Sequence, residues 1–241
     1  MARAPSDGPA QLGVVVPTLD EAEILPALLT RLFEGAEPDD RADVVVVADG
    51  GSRDGTPALA RRLGALVVTA PRGRGAQLAA GAASCESEIV LFLHADCVPA
   101  AGALAALRRA FRDPGLWAAA MSQRIGARGA FYRLVERAAD ARVRRGMVYG
   151  DSCLAVRRAA YVAAGGFRPL PLFEDVDLAK RLRRVARPRL VEEARAVVSP
   201  RRWQREGPLA CTLRNWALRL LYEAGVAPAH LTRLYPPHDV P

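Results

Sequence analysis

A chain of 241 residues that is 51% hydrophobic is long enough to bury a full core, so we expect one large domain with at most a short tail. The net charge of +8 would ordinarily suggest nucleic acid or an anionic membrane as a partner. All 34 basic residues except Lys180 are arginine, which indicates a compositional bias, so we predict no nucleic-acid partner. The four widely spaced cysteines contain no Cys-x-x-Cys pair and argue against a zinc site or a disulfide framework.

The N-terminal segment carries no targeting signal that we recognise. The first twelve residues lack the apolar stretch of a signal peptide, and the sequence contains no uninterrupted apolar run of about 18 residues that would span a membrane. We therefore expect a cytoplasmic protein whose residues 1–11 are flexible.

Strand and helix patterns alternate along the first half of the chain. Strands are predicted near residues 12–17, 43–48, 65–70 and 88–94, and helices near residues 21–34, 54–64, 75–85 and 99–112. In the second half we predict strands near 116–121, within 146–156 and near 190–198, with helices near 128–145, 158–164 and 174–187. This order predicts an α/β fold with a mostly parallel central sheet, right-handed crossovers and flanking helices. Residues 12–207 form this domain, and no linker divides it.

The last 34 residues have a different pattern. From Pro208 onward, apolar residues at helical spacing lie opposite charged ones; they are Leu209, Leu213, Trp216 and Leu220. The pattern predicts that residues 208–241 form an amphipathic helix and tail packed on the domain or on a second copy of the chain. An alternative is a helix lying at a membrane surface, since tryptophan with flanking arginine suits that position.

Acidic residues follow three of the predicted strands. The apolar run 89–93 is followed by His94 and then Asp96. Asp49 follows a run of four valines, and the first strand is followed by Pro17-Thr18-Leu19-Asp20-Glu21. The carboxyl ends of parallel strands meet at one edge of a sheet, where open α/β sheets bind ligands. Asp96 is therefore a candidate ligand for Mg²⁺ or Mn²⁺, with His94 as a neighbour or a softer ligand. Each of these polar residues is also a plausible helix cap or turn residue.

Two further segments carry candidate site residues. Arg72 and Arg74 flank Gly73 at the start of a predicted helix, where backbone amides and guanidinium groups suit a diphosphate. Asp175 shares a helical stripe with Leu178 and Leu182, so we expect it to point inward and Glu174 to point toward water. An inward acid at a helix start is a candidate general base, although two acids there also complement the helix dipole.

Taken in order, these motifs resemble a family 2 glycosyltransferase of the GT-A fold. The resemblance covers residues from about 12 to about 235 and rests on Pro-Thr-Leu-Asp-Glu, Asp-Gly-Gly-Ser-x-Asp-Gly-Thr, Arg-Gly-Arg-Gly, His-Ala-Asp, Gly-Gly-Phe with Glu-Asp, and Arg202-Trp203. Arg201-Arg202-Trp203 together with the pattern at residues 216–226 resembles a subgroup of short bacterial enzymes associated with arsenosugar biosynthesis and radical-SAM gene neighbourhoods.

The resemblance implies a role for each matching residue. Asp175 would be the catalytic base of an inverting transfer, and Asp96, with His94, would contact the divalent cation. The nucleotide-sugar donor, most simply a UDP-sugar, would be bound by Pro17, Thr18, Glu21, Asp49, Gly50, Arg72 and Arg74. The diphosphate or a small-molecule or lipid-linked hydroxyl acceptor would be contacted by Gly150, Asp151, Glu174, Arg202 and Trp203.

The sequence departs from the family pattern in two places. His94 stands where the first aspartate of Asp-x-Asp is expected, which puts the metal preference in question. Ser199 stands where the glutamine of Gln-x-x-Arg-Trp is expected, so processive polymer synthesis is not implied. Two other functions compete with glycosyl transfer. They are a sugar-nucleotide nucleotidyltransferase, which would need a glycine-rich loop after the first strand, and a non-catalytic arginine-rich binder of polyanions.

Overall fold

The computed structural model describes residues 10–235. Most of the segment expected to be flexible, residues 1–11, lies outside the described residues, as does the end of the predicted tail. The eight strands of the described chain form one sheet in the order β3-β2-β1-β4-β7-β6-β8-β5. They are β1 Leu12–Thr18, β2 Val44–Asp49, β3 Leu66–Thr69, β4 Ile89–Phe92, β5 Cys97–Pro99, β6 Ala118–Ile125, β7 Leu154–Arg157 and β8 Arg189–Val198.

Helices cover both faces of this sheet. They are α1 Leu25–Phe33, α2 Thr56–Arg62, α3 Arg74–Ala83, α4 Ala103–Ala110, α5 Ala130–Arg144, α6 Arg158–Ala163, α7 Glu174–Val185, α8 Arg201–Glu206, α9 Pro208–Glu223 and α10 Pro228–Leu231. Short 3₁₀ turns occupy Pro38–Asp40, Gly150–Ser152 and Thr232–Leu234. The predicted α/β architecture of a central sheet flanked by helices is confirmed.

The sheet has a parallel half and a mixed half. Strands β3, β2, β1 and β4 are all parallel, as the alternating pattern predicted. Strand β7 then runs antiparallel to both β4 and β6, whereas β8 is parallel to β6. Strands β4 and β7 are neighbours in the sheet, but β5, α4, β6 and α5 separate them along the chain. This long connection allows β7 to run in the opposite direction.

The prediction of a helix over residues 99–112 is wrong at its start. Cys97–Pro99 forms the edge strand β5, antiparallel to β8, and α4 begins only at Ala103 after Gly102 in a left-handed conformation. An edge strand accepts proline because one side of the strand needs no amide donor. Pro99 therefore ends a strand here and does not open a helix.

Two cores lie on opposite faces of the sheet because side chains alternate along each strand. Val14 and Val16 of β1 face α1 and α4, whereas Val15 faces α3, α6 and α7. Helix α3 approaches β1 closely at Gly81, where a Cβ atom would come within 2.4 Å of Val15 Cγ1. The absence of a side chain at this position permits the close contact.

The amphipathic helix predicted from Pro208 exists, but its orientation corrects the prediction. Leu209, Leu213, Trp216 and Leu220 are each about two-thirds exposed, and Cys211 and Leu218 on the opposite face are buried. The inner face carries arginines that pair with partners on the domain, whereas the predicted apolar stripe faces solvent. The apolar stripe therefore does not pack on this domain.

Within residues 10–235, no helix combines the length and the hydropathy of a membrane-spanning segment.

Replacing Gly81 with alanine tests the close packing of α3. We expect Gly81→Ala to lower the free energy of unfolding by about 1–3 kcal/mol, because the new methyl group overlaps Val15 and forces α3 away from the sheet. Urea unfolding measures the loss. Gly126→Ala is the matched control, since its new Cβ atom meets neighbours only at 3.5–3.6 Å. Equal stability of the two variants would contradict the packing argument.

Candidate active site

The ends of β1 and β2 are held together by one buried amide. Gln77 of α3 donates from Nε2 to the carbonyl oxygens of Thr18, at 2.7 Å, and Ala48, at 3.0 Å. Gly50 lies against the same amide, and a Cβ atom there would be 3.0 Å from it. Gln77 was not predicted as a site residue. Its signal in the sequence is a polar residue among the small and apolar residues that follow Arg74 in α3.

Asp49 is buried and shapes its own turn. Its Oδ2 atom accepts hydrogen bonds from the amides of Gly51, at 2.9 Å, and Ser52, at 3.0 Å. Its Oδ1 atom accepts from the hydroxyl groups of Ser52 and Thr18. These four donors occupy the four lone-pair positions of the carboxylate. In this structure Asp49 therefore fixes the loop after β2, and Thr18 is held beside it.

The loops after β1 and β2 are joined by hydrogen bonds between them. The amide of Glu21 donates to Thr56 Oγ1 at 3.0 Å, and the amide of Arg53 donates to Asp20 Oδ1 at 2.7 Å. Asp20 adopts a left-handed conformation with φ 54°. Pro17 is buried at the end of β1. The predicted donor-binding residues Pro17, Thr18, Glu21, Asp49 and Gly50 are thus brought together as one surface.

Arg74, the first residue of α3, connects this surface to α7. Its Nε atom lies 2.9 Å from Oε1 of Glu174, whose side chain is about 1% exposed. Burial opposes the charge on Arg74, but nearby acids including Glu174, Asp175 and Asp96 outweigh it and raise the pKa of Arg74. Arg74 therefore stays charged and lies among three carboxylates that come from two distant segments of the chain. Arg72 is exposed in the loop before α3.

The prediction that Glu174 points toward water is wrong. Glu174 is buried, whereas Asp175 is only partly buried. The spacing i, i+4, i+8 places Glu174 in line with Leu178 and Leu182, so its side chain joins the buried face of α7. Burial raises the pKa of Glu174, and the guanidinium of Arg74 opposes that shift. The two oxygens of Glu174 accept no well-aligned hydrogen bond from the described residues beyond this ion pair.

Asp175 is oriented by two backbone amides. Gly150 donates to Oδ2 at 2.6 Å, and the amide of Val176 donates to Oδ1 at 2.7 Å. Each oxygen keeps a second lone pair for another donor. Asp175 also lines a pocket with His94, Tyr149 and Gly150. The candidate base is therefore held in a fixed direction beside His94, which follows the end of β4.

His94 and Asp96 lie in the same cluster. Burial and the charge of Arg74 lower the pKa of His94, against the opposing effect of Asp96, Asp175 and Asp151, so its imidazole is neutral near pH 7. A Cβ atom on Gly150 would lie 2.3 Å from His94 Nε2. This close approach requires glycine at position 150. The predicted residues His94, Asp96, Gly150, Asp151 and Asp175 therefore converge on one region.

The donor atoms suit a cation whose coordination is completed by a ligand. Across residues 10–235, no three His, Cys, Asp or Glu side chains are grouped closely enough to hold a metal ion alone. Mg²⁺ is commonly held by one or two carboxylates together with phosphate oxygens of the substrate. Asp96 offers such a carboxylate, and the neutral imidazole of His94 lies beside it, so these residues fit a divalent cation shared with a diphosphate.

Tyr149 is a site residue that the sequence did not reveal. Its ring lies between two guanidinium groups, with Cζ of Arg142 at 3.9 Å and Cζ of Arg219 at 4.6 Å from the ring centroid. Arg219 belongs to α9, and Tyr149 directly precedes Gly150. The C-terminal helix is thereby connected to the loop that orients Asp175. In the sequence, the sole indication of this contact is that an aromatic residue directly precedes Gly150-Asp151-Ser152.

Arg202 and Trp203 have separate environments. The Arg202 guanidinium lies 4.5 Å from the ring centroid of Tyr235 and contacts its hydroxyl group, and Tyr235 in turn lies near Arg74. Trp203 packs against the core on the α1 and α4 face and donates to Thr212 Oγ1 at 3.3 Å. Arg202 is therefore connected to the cleft through Tyr235, whereas Trp203 anchors α8 against the core and α9.

Comparison with the sequence models of protein families shows the family of this chain. The model described as glycosyl transferase family 2 matches residues 13–159, which is more than half of the chain. The chain belongs to glycosyl transferase family 2. This membership favours glycosyl transfer over the nucleotidyltransferase and polyanion-binding alternatives. The matched residues include the donor surface, Asp96 and Gly150, but not α7. The sequence matches no curated protein.

Solved structures of glycosyltransferases share the fold. The mannosyltransferase PcManGT from Pyrobaculum calidifontis, in complex with GDP-Man and Mn²⁺, is 23% identical with a TM-score of 0.61 over 79% of this chain, which spans 57% of that protein. Glucosyl-3-phosphoglycerate synthase from Mycobacterium tuberculosis, with Mn²⁺, UDP and phosphoglyceric acid, is 21% identical with a TM-score of 0.60, covering 90% of this chain and 79% of that one.

A third similar structure is TarS residues 1–349 from S. aureus. It is 19% identical with a TM-score of 0.64 and covers 92% of this chain and 68% of that one. At these identities the three comparisons establish the shared architecture of a central sheet flanked by helices.

Removing Arg74 tests the ion pair that joins α3 to α7. We expect Arg74→Met to lower the free energy of unfolding at pH 7 by about 2–3 kcal/mol, because it leaves the buried carboxylate of Glu174 without a cation. Adding Glu174→Gln in the same chain should recover at least half of the loss. Chemical denaturation of the single and double variants measures both changes.

The pH dependence of this loss gives a second readout. Without Arg74, burial raises the pKa of Glu174 above the ordinary value of 4.5, so the folded state binds the proton more tightly than the unfolded state. The deficit of Arg74→Met should therefore grow as the pH rises from 4.5 and shrink as it falls. A deficit that does not change with pH would show that Glu174 is not the group left unpaired.

Proposed function

We propose that this protein transfers a sugar from a nucleotide-diphosphate sugar to a hydroxyl acceptor with inversion at the anomeric carbon, using Asp175 as general base. The observation that carries the proposal is the convergence of Asp175 and Asp96 on Arg74 and His94 at one edge of the sheet. An acid for the acceptor proton and an acid for a cation thereby share one cleft with a fixed positive charge.

The donor side of the proposal uses the surface between β1, β2 and α3. The loops after β1 and β2, held by Asp49 and Gln77, form a rigid edge for the nucleoside. UDP is the nucleotide that we propose, because one similar structure contains UDP. Arg74, and Arg72 in the exposed loop before it, supply positive charge for the diphosphate. All the predicted donor residues thus retain a role.

A divalent cation, Mg²⁺ or Mn²⁺, would be held by Asp96 and the diphosphate, with His94 adjacent. When bound, such an ion neutralises negative charge that develops on the leaving diphosphate. The structures similar to this chain include complexes with Mn²⁺. The neutral state of His94 supports this assignment, since a protonated imidazole would repel a cation.

The acceptor side uses Asp175 and the loop before β7. The amides of Gly150 and Val176 orient the carboxylate, so that its free lone pairs are available to an acceptor hydroxyl group. The proton moves from the acceptor oxygen to Asp175 as that oxygen attacks the anomeric carbon and the bond to the diphosphate breaks. Asp151 and Tyr149 border the same region, and we assign them to contacts with the acceptor.

The proposal also covers the acceptor, the cellular location and the subgroup of the family. The acceptor is a small-molecule or lipid-linked hydroxyl compound, and the reaction takes place in the cytoplasm. Arg201-Arg202-Trp203 and the helix that follows support membership of the subgroup associated with arsenosugar biosynthesis and radical-SAM gene neighbourhoods.

Replacing Asp175 tests the proposed base. We expect Asp175→Asn to lower turnover by about 10²–10⁴-fold, because the amide accepts no proton, while affinity for the nucleotide is unchanged. Release of nucleoside diphosphate from a panel of nucleotide sugars and hydroxyl acceptors measures turnover, and calorimetry measures binding. Asp177→Asn, on the same helix and paired with Arg181, is the control and should keep its turnover. Near-normal transfer by Asp175→Asn would remove Asp175 from this role.

Thermal stabilisation by ligands tests the cation site without an activity assay. UDP with Mn²⁺ should raise the melting temperature of the unaltered chain more than UDP alone, since binding to the folded state stabilises it. Asp96→Ala should abolish the part of the shift that depends on Mn²⁺. Asp113→Ala, which removes an exposed carboxylate paired with Arg189, is the control and should retain it. A metal-dependent shift that survives in Asp96→Ala would refute the assignment.

A further inference from the structure

Helix α9 and the residue that caps its C-terminus expose a continuous apolar surface, which we call the outer face of α9. It is formed by Leu209, Ala210, Leu213, Trp216, Ala217, Leu220, Leu221 and the capping residue Ala224. Four of its large side chains, Leu209, Leu213, Trp216 and Leu220, are 66–68% exposed. Among the described residues, five of the twelve exposed large hydrophobic side chains belong to the outer face. This concentration distinguishes the outer face from the scattered apolar residues that any protein surface carries.

The outer face contains no charged residue. At about 100° per residue, its eight positions span an arc of about 140° around the helix axis. The charged residues of α9 lie outside this arc and are used within the protein. Arg214 pairs with Glu206 at 2.5 Å, and Glu223 pairs with Lys180 at 2.7 Å and with Arg219. The charged residues of α9 therefore form ion pairs within the protein, and the outer face offers only apolar groups.

Exposed arginines flank α9 along the chain. Arg201 and Arg205 precede α9, Arg233 follows it, and all three side chains are exposed. The chain as a whole carries a net charge of +8. A second copy of the same surface would bring these like charges together, whereas an anionic lipid surface would neutralise them. Tryptophan and leucine between arginines also match the composition of helices that lie in the headgroup region of a bilayer.

We propose that the outer face of α9 docks on a lipid bilayer that contains anionic headgroups. The helix lies parallel to the membrane surface, with its leucines and Trp216 among the acyl chains and its flanking arginines at the phosphate groups. This docking goes beyond the proposed transfer reaction and does not depend on it, because the outer face shares no residue with the cleft.

The docking would place the acceptor side of the cleft next to the membrane. On the inner side of α9, Arg219 stacks on Tyr149, and the ring of Tyr222 stacks on Phe173 with 4.8 Å between centroids. Phe173 directly precedes Glu174 and Asp175. Since a helix with its side chains is about 10–12 Å across, only α9 separates these groups from the bilayer. The geometry suits an acceptor hydroxyl group that is presented at the membrane surface.

Flotation of the full-length protein with vesicles tests the docking. The protein should float with vesicles of phosphatidylcholine mixed with phosphatidylglycerol, and only weakly with phosphatidylcholine alone. Leu213→Glu should lower partitioning onto the mixed vesicles at least about tenfold, since it places a charge in the centre of the outer face. Leu66→Glu is the matched control. Leu66 is 54% exposed on β3 at an edge of the sheet, and its replacement changes the net charge equally.

The depth of insertion supplies an independent readout. Brominated acyl chains in the mixed vesicles should quench the fluorescence of the unaltered chain, and Trp216→Phe should remove most of that quenching while the protein still floats. Because residue 213 is exposed, Leu213→Glu should melt at the same temperature as the unaltered chain, which separates lost docking from lost folding.

Three results would overturn the proposal. The first is no flotation with anionic vesicles, and the second is flotation that Leu213→Glu and Leu66→Glu reduce equally, which indicates adsorption through overall charge. The third is a dimer in light scattering that Leu213→Glu dissociates, which would assign the outer face to a second copy of the chain. None of these measurements uses a sugar donor, so the proposed reaction can fail without affecting them.

Discussion

The guanidinium group of Arg74 is the charge on which the candidate site depends. Asp96, in the loop between β4 and β5, lies near Glu174 and Asp175 at the start of α7. Three carboxylates in a partly buried cleft would repel each other strongly. Arg74 offsets that repulsion and pairs directly with Glu174. Burial, together with the same cation, lowers the pKa of His94. One residue thus makes it possible for the proposed cation ligand, Asp96, and the proposed base, Asp175, to share a cleft.

The C-terminal region completes the site through stacked cations. Arg219 of α9 holds Tyr149 beside Gly150, and Arg202 of α8 holds Tyr235 near Arg74. Both contacts join a segment beyond the sheet to a loop of the cleft. Such cation–π pairs contribute modestly in energy, about 0.5–2 kcal/mol each, but they fix the positions of the two aromatic rings. The inner face of α9 is polar for this reason, and the outer face is left apolar.

Much of the fold could be predicted from local patterns. The runs of valine and leucine in β1, β2 and β4, separated by amphipathic helices, predicted the parallel half of the sheet, because a buried parallel strand leaves a recognisable apolar run. The short strand at Cys97–Pro99 could not be predicted in this way. It exists because β8, about 100 residues later, supplies its hydrogen-bonding partner at Val197 and Val198. Likewise, the outward orientation of Leu213 and Trp216 depends on the partners of the inner face.

The sequence by itself determined the α/β order, the acidic residues at the strand ends and the family motifs, because these are properties of short segments. Only the tertiary structure decided that Glu174 is buried, since the spacings i+3 and i+4 both lead to the leucines of α7 and cannot distinguish Glu174 from Asp175. Glu174 is the buried one because Arg74, a hundred residues earlier in the chain, supplies a positive charge beside its carboxylate. Tyr149 and Gln77 were missed for the same physical reason, because their partners lie on other elements and no local pattern records them.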